Sequence, residues 1–141
     1  MRVAVGTDEA GVTPDAVRTW LVGAGHEVIE PAGPVAPWPD VGRKVGEAVA
    51  SGVADAGVVC CWTGTGVAIA ANKVRGIRAA LCTDPETAEG SRRWNDANVL
   101  ALGLRLVTPM AAAEICAAFF GSAVDPGEQE MINRVEPGLR S

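Results

Sequence analysis

Val58-Val59-Cys60-Cys61-Trp62-Thr63-Gly64-Thr65-Gly66 runs directly into Val67-Ala68-Ile69-Ala70-Ala71-Asn72-Lys73, and few folds accommodate that order. A nearly all-apolar run from Ala56 to Cys61 reads as a central parallel strand buried on both faces. Two closely spaced glycines then demand a tight turn with close backbone approach, and the alanine-rich run after them starts a helix. The order strand, glycine turn, helix puts a thiol at the end of a strand. Beside it lie backbone N–H groups at the positive end of a helix dipole. Such a place binds an anion or holds negative charge formed during a reaction.

The rest of the chain repeats the alternation. Strands are predicted at Arg2 to Gly6, His26 to Ile29, Ile77 to Cys82 and Asn98 to Leu102. Helices are predicted at Pro14 to Leu21 with Thr13 as N-cap, from Asp40 (as cap) to Ser51-Gly52, at Pro85 to Arg93, and at Pro109 to Phe120 with Thr108 as cap. Pro31 to Pro39, with four prolines and a glycine, is a loop. This pattern predicts an α/β fold: a doubly wound three-layer α/β/α sandwich, Rossmann-like, on a mostly parallel five-stranded sheet. Its ligands bind at the carboxyl ends of the strands, where Cys61 and Thr7-Asp8-Glu9 both fall. The chain is expected to be a single domain over residues 1–141, with a tail from about 122 that carries a short helix and loose last residues.

Bulk properties narrow the function. The length of 141 residues and 48% hydrophobic content suit one folded domain. A net charge of −5 with no basic run argues against nucleic acid. Arg, Asp, Gly or Pro interrupts every apolar stretch before it could span a bilayer, and Met1 to Gly6 lacks the apolar core of a signal peptide. The expectation is a cytoplasmic protein without membrane partners. Four cysteines, none in a C-x-x-C pair, and the single His26 are too few ligands for a structural metal site. Cys82 and Cys116 lie in apolar runs and read as small buried hydrophobes.

Each constellation has a functional and a packing reading. The Thr63-Gly64-Thr65-Gly66 turn is an incomplete dinucleotide fingerprint, because Ile69 stands at the third glycine position. It is not a Walker loop either, since Lys73 lies too far on. Residue chemistry alone leaves it as anion site or packing turn. Cys61 is a buried thiol or a reactive one, and a helix N-terminus favours the thiolate. Cys60 and Cys61 must point to opposite faces of the strand. Asp8 and Glu9 are a proton-moving carboxylate pair or a helix-start cap. Asn95 is a candidate binder of a substrate hydroxyl; Trp94 is a lid or stacking surface, or else a core side chain.

The residues also carry a family likeness. Cys61-x-Thr63-Gly64-x-Gly66, Ile69-Ala70-Ala71-Asn72-Lys73, Gly76-Ile77-Arg78-Ala79-Ala80 and Asn95-Asp96-Ala97-Asn98-Val99-Leu100-Ala101-Leu102-Gly103 occur in this order. Gly6-Thr7-Asp8 and Trp38-Pro39-Asp40 fit the same pattern. The chain resembles the type B ribose-5-phosphate isomerases and the related galactose-6-phosphate isomerase subunits, from residue 1 to about residue 120. The resemblance implies an aldose–ketose isomerase working through a cis-enediolate, with no metal and no organic cofactor. Cys61 would be the carbon base, and Thr63 would move protons between oxygens. The backbone of Thr63, Gly64, Thr65, Gly66 and Val67 would hold the enediolate oxygen. Asp8 and Asn95 would hold hydroxyls and help open the sugar ring. The resemblance further implies a homodimer, or a tetramer, with sites at the subunit interface and the tail packing on the partner.

The departures bear on substrate. Glu9 and Trp94 stand where the family usually has histidines. The family's C-terminal phosphate-binding arginines align with Gly127 and Met131, and only Arg105 matches a phosphate-binding arginine. Glu9 adds a like charge near any phosphate, while Arg134, Arg92 and Arg93 are the residues available to compensate. The expectation is an intact isomerase site with an altered anion clamp, and so a preferred substrate other than ribose 5-phosphate. The alternative is a non-catalytic sugar-binding subunit of the same fold.

Overall fold

The computed structural model describes residues 1–138. Five strands form one sheet: β1 (Arg2–Thr7), β2 (Glu27–Ile29), β3 (Ala56–Cys61), β4 (Ala79–Leu81) and β5 (Val99–Gly103). Their order is β2-β1-β3-β5-β4 and every pairing is parallel, so "mostly parallel" becomes wholly parallel. The helices are α1 (Val12–Gly23), α2 (Trp38–Ala50), α3 (Thr65–Asn72), α4 (Pro85–Asn95), α5 (Pro109–Phe120) and the short α6 (Gln129–Asn133). The expected α/β architecture and its alternation of elements are therefore present. The expectation of loose last residues falls on 139–141, which lie outside the described residues.

Strand alternation builds two cores. Val3, Val5, Val58, Cys60, Leu100 and Leu102 point to one face and pack with Val17 and Leu21 of α1, Ala88 of α4 and Ile115 and Phe119 of α5. Ala4, Val59, Cys61, Val99 and Ala101 point to the other and pack with Val41 and Val45 of α2 and Val67 and Ala71 of α3. Each large side chain buried this way contributes about 1.5–3 kcal/mol. The two neighbouring cysteines thus fall into different cores, as the period of two requires.

Some boundaries differ from the sequence reading. Helix α1 starts after Gly11 rather than after a Thr13 cap; the Thr13 hydroxyl instead donates to the Val107 carbonyl at 2.9 Å and ties α1 to the loop before α5. Helix α2 starts after Pro37, which leaves Asp40 in its first turn, where its charge suits the helix dipole. Strand β4 is only three residues long. Asn72 substitutes for part of its ladder: its side chain donates to the Ala79 carbonyl and accepts from the Ala79 N–H, at 3.0 and 2.8 Å. Thr108 caps α5 through the Ala111 N–H, as expected.

Candidate active site

The sheet order reverses between β1 and β3, and the crevice outside such a reversal is where doubly wound sheets bind ligands. Cys61 ends β3 there and Asp8 follows β1; the Asp8 N–H donates to the Cys60 carbonyl at 3.2 Å, which holds the two strand ends together. A cavity of about 300 Å³ opens at this point, lined by Asp8, Trp38, Cys61, Trp62, Thr63, Thr65 and Gly66.

The turn after Cys61 is built to tolerances that only glycine meets. Gly64 has φ +77° and is the N-cap of α3; a Cβ there would lie 2.8 Å from the Gly103 nitrogen. Gly103 must itself be glycine, because a Cβ would lie 2.6 Å from the Thr63 carbonyl oxygen. Gly42 lets α2 press on α3, with a virtual Cβ 2.5 Å from that of Ala70. These contacts fix the α3 N-terminus rigidly. No side chain caps it; the first intrahelical acceptor, the Gly64 carbonyl, takes the Ala68 N–H. The N–H groups of Gly66 and Val67 therefore have no helical acceptor, and Thr65 N–H has only the Thr63 hydroxyl at 3.4 Å. The Thr63 and Thr65 hydroxyls pair at 2.6 Å, either able to donate.

The two cysteines differ in environment. Cys60 is fully buried, and burial pushes its thiol up to about 12, which makes it inert. Cys61 is buried at 5% exposure yet forms part of the cavity wall. Asp8 is half-buried, and its Oδ1 is fully enclosed with no hydrogen-bond partner among the described residues. Desolvation, and then the Glu9 charge, raise its pKa above the ordinary carboxylate value, against the pull of its own backbone N–H. An enclosed carboxylate oxygen without a partner is costly to ionise. Asp8 caps no helix, since Gly11 is the N-cap of α1.

The structure brings Asp8, Cys61, Thr63, Thr65 and Gly66 to one cavity, with Gly64 and Val67 in the same turn. Glu9 is exposed beside Asp8, in a turn where the Thr7 hydroxyl donates to the Glu9 carbonyl at 2.8 Å. Arg105 is exposed next to the turn, its N–H donating to the Trp62 carbonyl at 2.9 Å. Trp94 and Asn95 lie elsewhere. Trp94 is 53% exposed on α4, its ring over Gly90 and 5.9 Å from the Arg93 guanidinium, so it is neither a core side chain nor a lid on this subunit's Cys61. Asn95 lines a separate cleft at the β4 edge with Asn72, Ala79 and Ala80. Of the possible compensating arginines, Arg92 is bonded to Asp96 and the Ala97 carbonyl, and Arg93 to Asp125 and Glu89. Arg134 is exposed, with its guanidinium against the Met131 sulfur at 3.6 Å.

Sequence reasoning gave no role to Trp38 and Trp62, which wall the cavity. The available signal was a large aromatic placed in a polar turn directly after the thiol.

A family model described as Ribose/Galactose Isomerase matches residues 3–136. The chain belongs to that family. It is 38% identical over 139 residues to ribose-5-phosphate isomerase B of Escherichia coli K12, covering 96% of this chain and 92% of that protein. It is 35% identical over 132 residues to D-erythrulose-4-phosphate isomerase of Pectobacterium atrosepticum, covering 90% and 87%. The solved ribose-5-phosphate isomerase B of Clostridium thermocellum superposes with a TM-score of 0.89 at 38% identity, covering 96% of this chain and 95% of that one. The family resemblance read from the motifs is thus correct, and it places the chain among enzymes of the isomerase class. No helix among the described residues is long and apolar enough to cross a membrane, and no cluster of possible metal ligands occurs among them.

Proposed function

We infer that this protein interconverts an aldose and a ketose, on a small sugar that carries a phosphate or another terminal substituent. The observation that carries the reading is Cys61 at a strand end, in one cavity with Asp8 and beside an uncapped helix N-terminus. The Cys61 thiolate takes the proton from the carbon next to the carbonyl. The electron pair left behind forms the enediolate double bond, and the carbonyl oxygen gains the negative charge. The N–H groups of Gly66 and Val67, which have no helical acceptor, and the weakly engaged N–H of Thr65 suit that oxygen. The paired hydroxyls of Thr63 and Thr65 suit movement of a proton between the two oxygens, and the Cys61 proton then returns to the former carbonyl carbon. The reaction is redox-neutral overall, so the chemistry calls for no cofactor. Asp8 accepts a sugar hydroxyl and helps open the ring.

Asn95 and Trp94 complete the set only if a second subunit supplies them, since they sit away from Cys61 on their own chain. We therefore read the enzyme as a homodimer with a shared site, the tail from about 122 packing on the partner, in the cytoplasm. The substrate differs from ribose 5-phosphate in this reading. Glu9 and Trp94 replace the usual histidines, Gly127 and Met131 replace arginines, and Arg92 and Arg93 are held by acids, which leaves Arg105 and Arg134 for an anionic group. The named four-carbon relative is consistent with a substrate other than a pentose phosphate.

The test is to incubate the protein alone with ribose 5-phosphate, D-erythrulose 4-phosphate and free pentoses and tetroses in deuterated water and follow them by NMR. Deuterium should enter at the carbon next to the carbonyl of the true substrate, and Cys61→Ala should stop it. Failure to exchange with any sugar would favour the non-catalytic subunit. Turnover of ribose 5-phosphate at sub-millimolar KM would remove the altered-substrate part.

A further inference from the structure

Two tryptophans, Trp38 and Trp62, line the Cys61 cavity together with its polar groups. Trp62 is 59% exposed and Trp38 45%, so neither ring is a core side chain. Both backbones are nonetheless pinned. The Trp62 carbonyl accepts the Arg105 N–H at 2.9 Å, and Trp38 is the first residue of α2. The Trp38 ring lies directly on the catalytic turn: a Cβ at Gly66 would come within 2.9 Å of its Cε3. Gly66 thus clears the space for that ring as well as presenting an N–H.

The lining divides into two kinds of surface. Asp8, Thr63 and Thr65 offer hydroxyl-binding groups, and Trp38 and Trp62 offer apolar ring faces. Among the described residues no lysine or arginine lines the cavity, and its one charged side chain is a carboxylate. Such side chains give an acidic substituent no cationic partner and match the body of a sugar, which has a polar hydroxyl rim and apolar C–H faces. The cation nearest in the chain fold to the Trp62 backbone is Arg105, exposed in the turn after β5, and an acidic substituent points out of the cavity toward it.

We propose that Trp62, with Trp38, binds the C–H face of the sugar over Cys61, and that Trp62 is a specificity-determining residue of this enzyme. The proposal rests on the isomerase reading above and adds how the sugar body is recognised. Stacking on indole replaces part of the affinity that a fuller arginine clamp would give.

The experiment compares wild type, Trp62→Ala, Trp62→Phe and Cys61→Ala, first by steady-state kinetics on whichever of D-ribose 5-phosphate, D-erythrulose 4-phosphate and their unphosphorylated sugars turns over. Trp62→Ala should raise KM roughly tenfold with kcat within about threefold, the size expected for losing one apolar ring contact, and Trp62→Phe should recover most of it. Binding is then read without turnover. The same sugars should quench indole fluorescence in Cys61→Ala, and Cys61→Ala/Trp62→Ala should bind roughly tenfold more weakly. An unchanged KM and an unchanged affinity in the Trp62→Ala variants overturn the proposal. A KM change that only tracks a change in oligomeric state, measured by light scattering, or no binding of any of the sugars, also overturns it. If Cys61→Ala keeps its turnover while Trp62→Ala loses affinity, the base assignment is wrong and the aromatic wall stands.

Discussion

The two ends of this sheet are equally rich in family motifs, yet they are finished differently. At the amino end of β5, Arg78 Nε donates to the Asp96 carbonyl at 2.7 Å and its guanidinium pairs with the Asp96 carboxylate at 3.2 Å. Asp96 also accepts from Arg92 at 2.9 Å, and Asn98 bridges the Arg78 N–H and the Gly76 carbonyl at 2.8 and 2.9 Å. The network even holds Asp96 at φ +47°, a left-handed conformation that Asp tolerates better than most residues. At the carboxyl end of β3, by contrast, Asp8 Oδ1 has no partner among the described residues, none of their side chains caps α3, and Cys61 lines a cavity. Motif residues whose hydrogen bonds close on one another hold the fold. Motif residues whose bonds are left open await a ligand.

That contrast can be broken by substitution. Its largest expected consequence is at the cysteine pair. Cys61→Ala should lower kcat by about 100- to 10,000-fold, the worth of a positioned proton-transfer group, with little change in Tm. Cys60→Ala, on the other face, should keep turnover and cost roughly 1 kcal/mol of stability in urea unfolding. Equal loss of activity in both would mean the strand, not the thiol, is what matters. Next in size is Gly64→Ala. It meets both a left-handed backbone and a clash with β5, and should cost about 1–3 kcal/mol together with most of the activity.

Arg78→Met sharpens the other side of the comparison. Loss of its bonds to Asp96 should destabilise by about 1–3 kcal/mol, while kcat per folded molecule stays within about threefold. A selective loss of kcat without destabilisation would move this network into the chemistry. The smallest effect belongs to Asp8. Its folded pKa is raised, so ionisation costs native stability as pH climbs from the ordinary value of 3.8 through the raised value; below 3.8 the cost is absent. Asp8→Asn should therefore raise Tm at pH 7 and leave it nearly unchanged near pH 3, while slowing turnover. A lower Tm at pH 7 would show that the carboxylate is satisfied after all.

Much of this was legible in the sequence. The apolar run Ala56–Cys61 admits one description, a strand buried on both faces, and the structure has it at those bounds. Thr108-Pro109 marks the start of α5 because a hydroxyl cap and a proline in the first turn are local signals. Thr13-Pro14 carries the same signal and is used otherwise: Val107, distant in sequence, takes the hydroxyl, so a tertiary partner outweighs the local cap. Strand β4 is shorter than its apolar run because the chain around Arg78 is committed to Asn98 and Asp96.

The sequence alone determined the layered fold, the family and the thiol at a strand end, since periodicity, glycine spacing and motif order are local properties of the chain. Tertiary structure decided which groups share a cavity. It set Trp38 and Trp62 in one cavity with Asp8 and Thr63, left Asn95 in another cleft, and engaged Arg92 and Arg93 with acids. The reason is physical: whether a polar group is satisfied or left open depends on partners brought from distant segments, and spacing along one strand or helix carries no record of them.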